Sequence, residues 1–381
     1  VADAVIDIVG HFGSRLSYAT VTDHVVRGLL ACDRLGRITN LDDRFIDDTL
    51  AARVQSERGK KVLLLADARD WLVEVMVAEY GRENVALFVC PNTDRLSEER
   101  VRACLGVGLV YTPSAWCRGT ITQELHAACS AIGRALGETP ALPRIEVQPL
   151  GVDEPFANGW TDHDDVHDLG CRRFLHVTTD TFWPGRKGTE ELLLAWKLAD
   201  QNPEEARLTI HCLPQLYGMV HQELGAHDLL DAVKLISAPL RGSTPAELCK
   251  LIASHDMLVA PSRSEGFGIM PLSALISGTP VLMTSGTGQD EYLAETDGEG
   301  EPVLGGWLQI PTFGDDKLEG EDGSAPCIRP DQLAFSLVAG RRLYDDLLRG
   351  AQKNQKVQAN WSWFERRNEW VKSLVEWEEA T

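Results

Sequence analysis

Three charged residues stand where they could do chemistry: Arg186, Lys187 and Glu265. Arg186-Lys187-Gly188 follows a strand expected at 173–178 and precedes a run with helical spacing over 189–199. Two cations just before a helix N-terminus can neutralise charge developing on an anionic leaving group. Glu265 opens Glu265-Gly266-Phe267-Gly268, after Met257-Leu258-Val259-Ala260, which reads as a buried parallel strand. Gly266 and Gly268 allow a tight turn with close backbone approach. A helix starts near Met270-Pro271, with proline where a missing N–H costs nothing, and Gly278 ends it. A strand, a glycine turn and a helix start leave free N–H groups at the positive end of the dipole, which is an anion site. A carboxylate does not bind an anion, so Glu265 is read as an acceptor of hydrogen bonds from hydroxyls.

Those loops need elements to hold them, and strands alternate with helices along the chain. Strands are expected at 4–9, 62–66, 85–90 and 109–112, with helices over 17–30, 70–80 and from Ala115 to about Leu136. Ser114 is placed to cap the last of these. His11, Asn92 and Asp94 fall just past the carboxyl ends of strands, where a parallel α/β sheet binds its ligands. The alternation restarts with strands at 173–178, 207–212, 233–236, 257–260, 281–284 and 307–310. A tryptophan-rich segment with helical spacing, 361–378, closes the sequence.

The stretch 261–280 resembles the donor-site motif of the retaining GT-B glycosyltransferases of the family 4 type. That motif has a glutamate, Gly-Phe-Gly, a second glutamate eight positions after the first, a small-residue helix and Gly-x-Pro-Val. Glu265-Gly266-Phe267-Gly268 and Gly278-Thr279-Pro280-Val281 match it, whereas the second glutamate position holds Ser273. The resemblance implies that Glu265 touches the transferred sugar and that Ser273 replaces a ribose contact. A serine hydroxyl there offers one weaker hydrogen bond or none. Arg186-Lys187-Gly188 resembles the family's basic contact with the donor diphosphate. The extra arginine many relatives carry upstream is replaced by Thr181 and Phe182, and Arg263 is the candidate for that missing cation. Gly13 and Ser14 stand in the first loop, which faces the donor diphosphate in that family; Gly266, Phe267, Gly268 and Ile269 complete the implied donor set.

The same resemblance implies two facing Rossmann-like domains with parallel sheets and a C-terminal crossover helix. Pro113-Ser114-Ala115-Trp116 and the hinge-like 147–153 support it. The expected division is an acceptor-side domain at 1–152, a donor domain at 153–360, and a final helix at 361–381 packing back on the first domain. The implied reaction is transfer of a sugar, with retention, from a nucleotide-diphosphate sugar to an acceptor hydroxyl. A UDP-sugar is the first candidate donor; the acceptor is a saccharide, a lipid-linked or a small-molecule hydroxyl, oriented by His11, Asn92 and Asp94. No Asp-x-Asp motif stands in a context suited to a metal-bridged diphosphate, so Arg186, Lys187 and the helix start are expected to serve without a metal or cofactor. Two other readings stay open: a phage-type enzyme glycosylating hydroxymethylated pyrimidines in DNA, suggested by FWPGRKGTEELLLAW, and a non-catalytic sugar-nucleotide or glycan binder, suggested by Ser273.

Composition narrows the setting. With 381 residues the chain has room for two domains, and its 44% hydrophobic content is ordinary for full cores. Of the net charge of −20, residues 1–150 hold 17 Lys and Arg against 20 Asp and Glu, so the acid is concentrated beyond them. Such a surface disfavours tight binding to DNA or anionic membranes. The acidic runs 295–301 and 315–322 read as solvated loops. Nine scattered cysteines without a C-x-x-C pair, no signal-like start and no apolar run of spanning length point to the cytoplasm.

Overall fold

The computed structural model describes residues 6–12, 17–41, 58–157, 171–178, 185–237, 245–296, 302–317, 323–354 and 358–380. The chain divides into two compact units, one of residues 1–150 with 363–381 and one of residues 151–362.

The first unit is built on a six-stranded parallel sheet: β1 (Ile6–Gly10), β2 (Leu35–Asn40), β3 (Lys61–Leu65), β4 (Val85–Phe88), β5 (Leu109–Thr112) and β6 (Arg144–Val147). Their order across the sheet is β2-β1-β3-β4-β5-β6. β1, β3, β4 and β5 are buried at every position, as strands covered by helices on both faces must be. Val62, Leu64, Leu87 and Val110 pack with Ile121 and Leu125 of the helix Ala115–Leu136. That helix starts as expected, with the Ser114 hydroxyl accepting from the Cys117 N–H at 3.2 Å. Ser114→Ala should cost about 1 kcal/mol of stability, measurable as a lower urea midpoint at unchanged slope.

The last helix, Trp363–Glu379, belongs to this first unit. Trp363 stacks on His24 of the helix Ser17–Ala31 at 4.5 Å, and the Trp370 indole N–H donates to the Pro149 carbonyl at 3.3 Å. Tyr111 and Ser373 share a hydrogen bond of 3.1 Å, and Arg34 pairs with Glu378 at 2.8 Å. Trp363, Trp370 and Trp377 are all buried.

The second unit repeats the plan with β7 (Arg172–Thr178), β8 (Ala206–Cys212), β9 (Val233–Ser237), β10 (Met257–Ala260), β11 (Val281–Met283) and β12 (Trp307–Gln309). The order is β12-β11-β10-β7-β8-β9, again all parallel. Phe174, Leu208, Ile210, Met257 and Val259 form its core with Leu192, Trp196 and Leu333. Two parallel sheets with helical layers match the expected fold class.

Four strands escaped the sequence reading. β2 and β6 are edge strands, one carrying Gly36 and the other without a fully buried position. The acidic stretch expected to be loop begins inside an antiparallel hairpin, β13 (Thr312–Lys317) with β14 (Ser324–Ile328). Residues 318–322 and 297–301 of the two acidic runs lie outside the described residues. No helix among the described residues is long and apolar enough to cross a membrane.

Candidate functional site

Strand order picks out one place in the second sheet. From β7 the chain moves outward through β8 and β9, then returns to lay β10 on the other side of β7. A parallel sheet opens a crevice beyond the carboxyl ends of its strands at such a reversal. β7 ends at Thr178 and leads toward Arg186 and Lys187; β10 ends at Ala260 and leads into 261–268. The two charged loops are therefore neighbours because β7 and β10 are paired, Met257 with Phe174 and Leu258 with Leu175.

The three charged residues meet there. Arg186 Nη1 lies 3.0 Å from Glu265 Oε2 and also donates to the Ser264 carbonyl at 3.0 Å. Lys187 Nζ donates to Glu265 Oε1, which the Ser262 hydroxyl reaches at 2.7 Å. Glu265 is 8% exposed. Burial pushes its carboxyl up, but Lys187 and then Arg186 outweigh that and hold it at about 2. Glu265 is thus ionised at neutral pH, and two cations face one carboxylate. Two cations held side by side suit an anion, while the carboxylate can take hydroxyl donors beside it.

The two loops approach closely along their backbones. Gly188 has φ +63°, and a Cβ on it would stand 2.0 Å from the Pro261 carbonyl oxygen. The Arg263 N–H donates to the Arg186 carbonyl at 2.7 Å, a second tie between the loops. From behind, the Glu265 N–H donates to Thr287 Oγ1 at 3.2 Å and the Gly288 N–H to the Glu265 carbonyl at 2.7 Å. Thr287 Oγ1 donates to Gln289 Oε1, and Gln289 Nε2 reaches Thr284 Oγ1 at 3.4 Å. Thr284, Thr287 and Gln289 are buried. These three were missed from sequence, although the polar, glycine-rich run after β11 stands at a strand's carboxyl end like the other two loops.

Gly268, at φ +81°, is the N-cap of the helix Ile269–Ile276, so Ile269 opens that helix and Pro271 sits in its first turn. Phe267 is buried, edge-on to Tyr292 at 5.6 Å, and the Tyr292 hydroxyl donates to the Gly268 carbonyl at 3.1 Å. Ser273 is buried within the same helix. The expectation that Arg263 adds a cation beside Glu265 is not met. Its guanidinium turns to the hairpin and donates to the carbonyls of Pro326 (3.1 Å), Ala325 (3.5 Å) and Asp316 (3.5 Å). Gly13, Ser14, Thr181 and Phe182 lie outside the described residues.

His11, Asn92 and Asp94 are in the first unit. His11 follows β1, beside the reversal between β1 and β3, while Asn92 and Asp94 follow β4, one strand beyond β3. His11 and Asn92 are half-buried and Asp94 is exposed.

Residues 173–304, which contain this whole charged cluster, match the family model described as Glycosyl transferases group 1. With two Rossmann-like parallel sheets, the chain has the GT-B fold of solved glycosyltransferases. It is similar to sucrose-phosphate synthase from Thermosynechococcus elongatus, with a TM-score of 0.66, 12% identity and 99% of each chain covered. It is also similar to Anabaena Alr3699/HepE in complex with UDP-glucose, with a TM-score of 0.65, 15% identity, and 97% of this chain and 99% of that one covered. The pneumococcal O-GlcNAc transferase GtfA in complex with UDP and GlcNAc gives a TM-score of 0.51 at 16% identity, over 83% of this chain; the chain spans 56% of that protein's length. No curated protein matches the sequence significantly.

Proposed function

We propose that the protein transfers a sugar, with retention of anomeric configuration, from a UDP-sugar to an acceptor hydroxyl on a saccharide, a lipid-linked or a small molecule. The observation that carries this reading is the pairing of Lys187 and Arg186 with buried Glu265 at the strand reversal between β7 and β10. The solved complexes of GT-B relatives with UDP and UDP-glucose support the choice of nucleotide.

In this reading the second unit is the donor domain. Lys187 and Arg186 take the diphosphate, joined by free N–H groups at the start of the helix Ile269–Ile276. Glu265 accepts hydrogen bonds from hydroxyls of the transferred sugar, with Gly266, Phe267, Gly268 and Ile269 shaping the floor. Gly13 and Ser14 are second-rank donor contacts, and Ser273 holds the ribose weakly or not at all. The anomeric carbon–oxygen bond to the β-phosphate breaks while a bond to the acceptor oxygen forms on the same face. The acceptor proton passes to the departing phosphate oxygen, so no side-chain base is required. Positive charge held in place before the reaction stabilises that leaving group without reorganisation. His11, Asn92 and Asp94 are the proposed acceptor contacts. The enzyme works in the cytoplasm and needs no metal.

Thermal denaturation with nucleotides tests the donor assignment. UDP and one UDP-sugar should raise Tm by mass action, equally with magnesium and with a chelator. A GDP- or ADP-sugar shifting Tm in place of UDP would replace the nucleotide, and a strict magnesium requirement would remove the metal-free scheme. Product anomer analysis by NMR then reads retention directly.

A further inference from the structure

We propose that His176 is a positioning residue that sets the distance between the Arg186–Lys187 turn and the Glu265 loop. It stands on β7, is 1% exposed, and uses both ring nitrogens. Nδ1 lies 2.9 Å from the carbonyl of Val259 on β10, the strand that leads into Glu265. Nε2 lies 2.9 Å from Oγ1 of Thr189, the first residue of the helix Thr189–Leu198 and two positions after Lys187. One imidazole therefore joins three pieces of chain: β7, the strand carrying the carboxylate loop, and the helix start carrying the cations.

The partners determine the ring's state. A carbonyl only accepts, so Nδ1 carries the proton and donates to Val259. Burial, together with the nearby positive charge of Lys187 and against the bond to Val259, brings the ring down to about 4, so it is neutral at physiological pH. Nε2 then accepts from the Thr189 hydroxyl. A neutral clamp holds the cationic turn without repelling it, and it adds no charge to the crevice. Phenylalanine would fill the volume and lose both bonds, whereas Thr189→Val removes one bond and keeps the shape. Arg263 N–H to Arg186 O and the contact of Gly188 under Pro261 O also join the two loops, but both are backbone contacts that side-chain substitution leaves in place.

This inference rests on the donor-site reading above, and its test has one readout that does not. The Glu265 carboxyl is titrated by 13C NMR, assigned with Glu265→Gln, in wild type, His176→Phe and Thr189→Val. If His176 sets the spacing, both variants raise the Glu265 carboxyl, because Lys187 and Arg186 withdraw from it. An unchanged titration in folded Thr189→Val overturns the proposal. UDP affinity is measured on the same samples: weakening should be on the order of tenfold, expressed in KM for the donor more than in kcat. The double variant should be no worse than the worse single one, since both cut one linkage; additive losses count against a shared clamp. A shifted carboxyl in variants of a protein that never binds UDP would keep the clamp and refute the donor assignment instead.

Discussion

Lys187→Met should lower kcat for glycosyl transfer by on the order of 10²–10³-fold, the usual loss when one preorganised donor to a developing anion is removed. It should also destabilise the second unit, because Glu265 stays buried with one cation in place of two. Breaking a buried pair from one side costs about 3–5 kcal/mol. The acid limb of stability should move as well. Glu265 sits at about 2 in the folded protein, against 4.5 for an ordinary glutamate. A depressed carboxyl contributes stability that is complete above its unfolded pKa and is lost as pH falls through the folded one. Without Lys187 the carboxyl rises toward its unfolded value, so this acid-dependent loss becomes smaller and is complete at a higher pH. Glu265→Gln should also lose transfer, yet it relieves the stability defect of Lys187→Met when the two are combined. Urea unfolding between pH 3 and 7, with turnover on a UDP-sugar, reads all of this. Full turnover in Lys187→Met sinks the assignment of that residue.

Gly188→Ala should be among the most damaging single-methyl changes in the chain. The added Cβ would stand 2.0 Å from the Pro261 carbonyl oxygen, a backbone atom that no rotamer change can move, with Ile328 Cδ1 at 3.2 Å. The left-handed backbone at φ +63° adds about 1–2 kcal/mol for any residue with a Cβ, and overpacking adds about 1–3 kcal/mol. The loops that bring Arg186 and Lys187 to Glu265 must then separate, so UDP affinity should fall together with stability. Gly278→Ala is the control: its φ is +88°, but nothing lies within 4 Å of the added methyl. It should show the backbone cost alone and keep UDP binding. Equal urea midpoints for the two variants would show that contact with Pro261 does not matter.

What could be read in advance divides along physical lines. Continuous apolar runs bounded by turn residues, such as 109–112 and 257–260, became strands with those same bounds, and the periodic 70–80 became a helix. Edge strands β2 and β6 carry weaker patterns because one side of each has no partner strand. The hairpin β13–β14 was read as loop because its first strand is almost wholly exposed and acidic, and no core demands apolar alternation from it. Arg186, Lys187 and Glu265 were legible as charges at strand ends. His176, Thr287 and Gln289 were not, since their roles arise from contacts between segments far apart in sequence. Arg263 shows the converse. Its position two residues from Glu265 suggested the crevice, because in an extended strand both side chains would share one side, but the strand ends at Ala260 and the Arg263 guanidinium found the hairpin carbonyls instead.

The helix Trp363–Glu379 gives the molecule a schedule. Residues 1–150 leave the ribosome first, but the tryptophans that complete their core are made roughly 200 residues later, an interval of ~10–40 s at about 5–20 residues per second. The segment 151–362, continuous in sequence, can finish before its predecessor does. The usual order of synthesis is thereby inverted: the half begun first is the half sealed last. Until Trp363, Trp370 and Trp377 arrive, the nascent protein carries an open apolar face on the helix Ser17–Ala31 and its sheet, and chaperones have that interval in which to engage it.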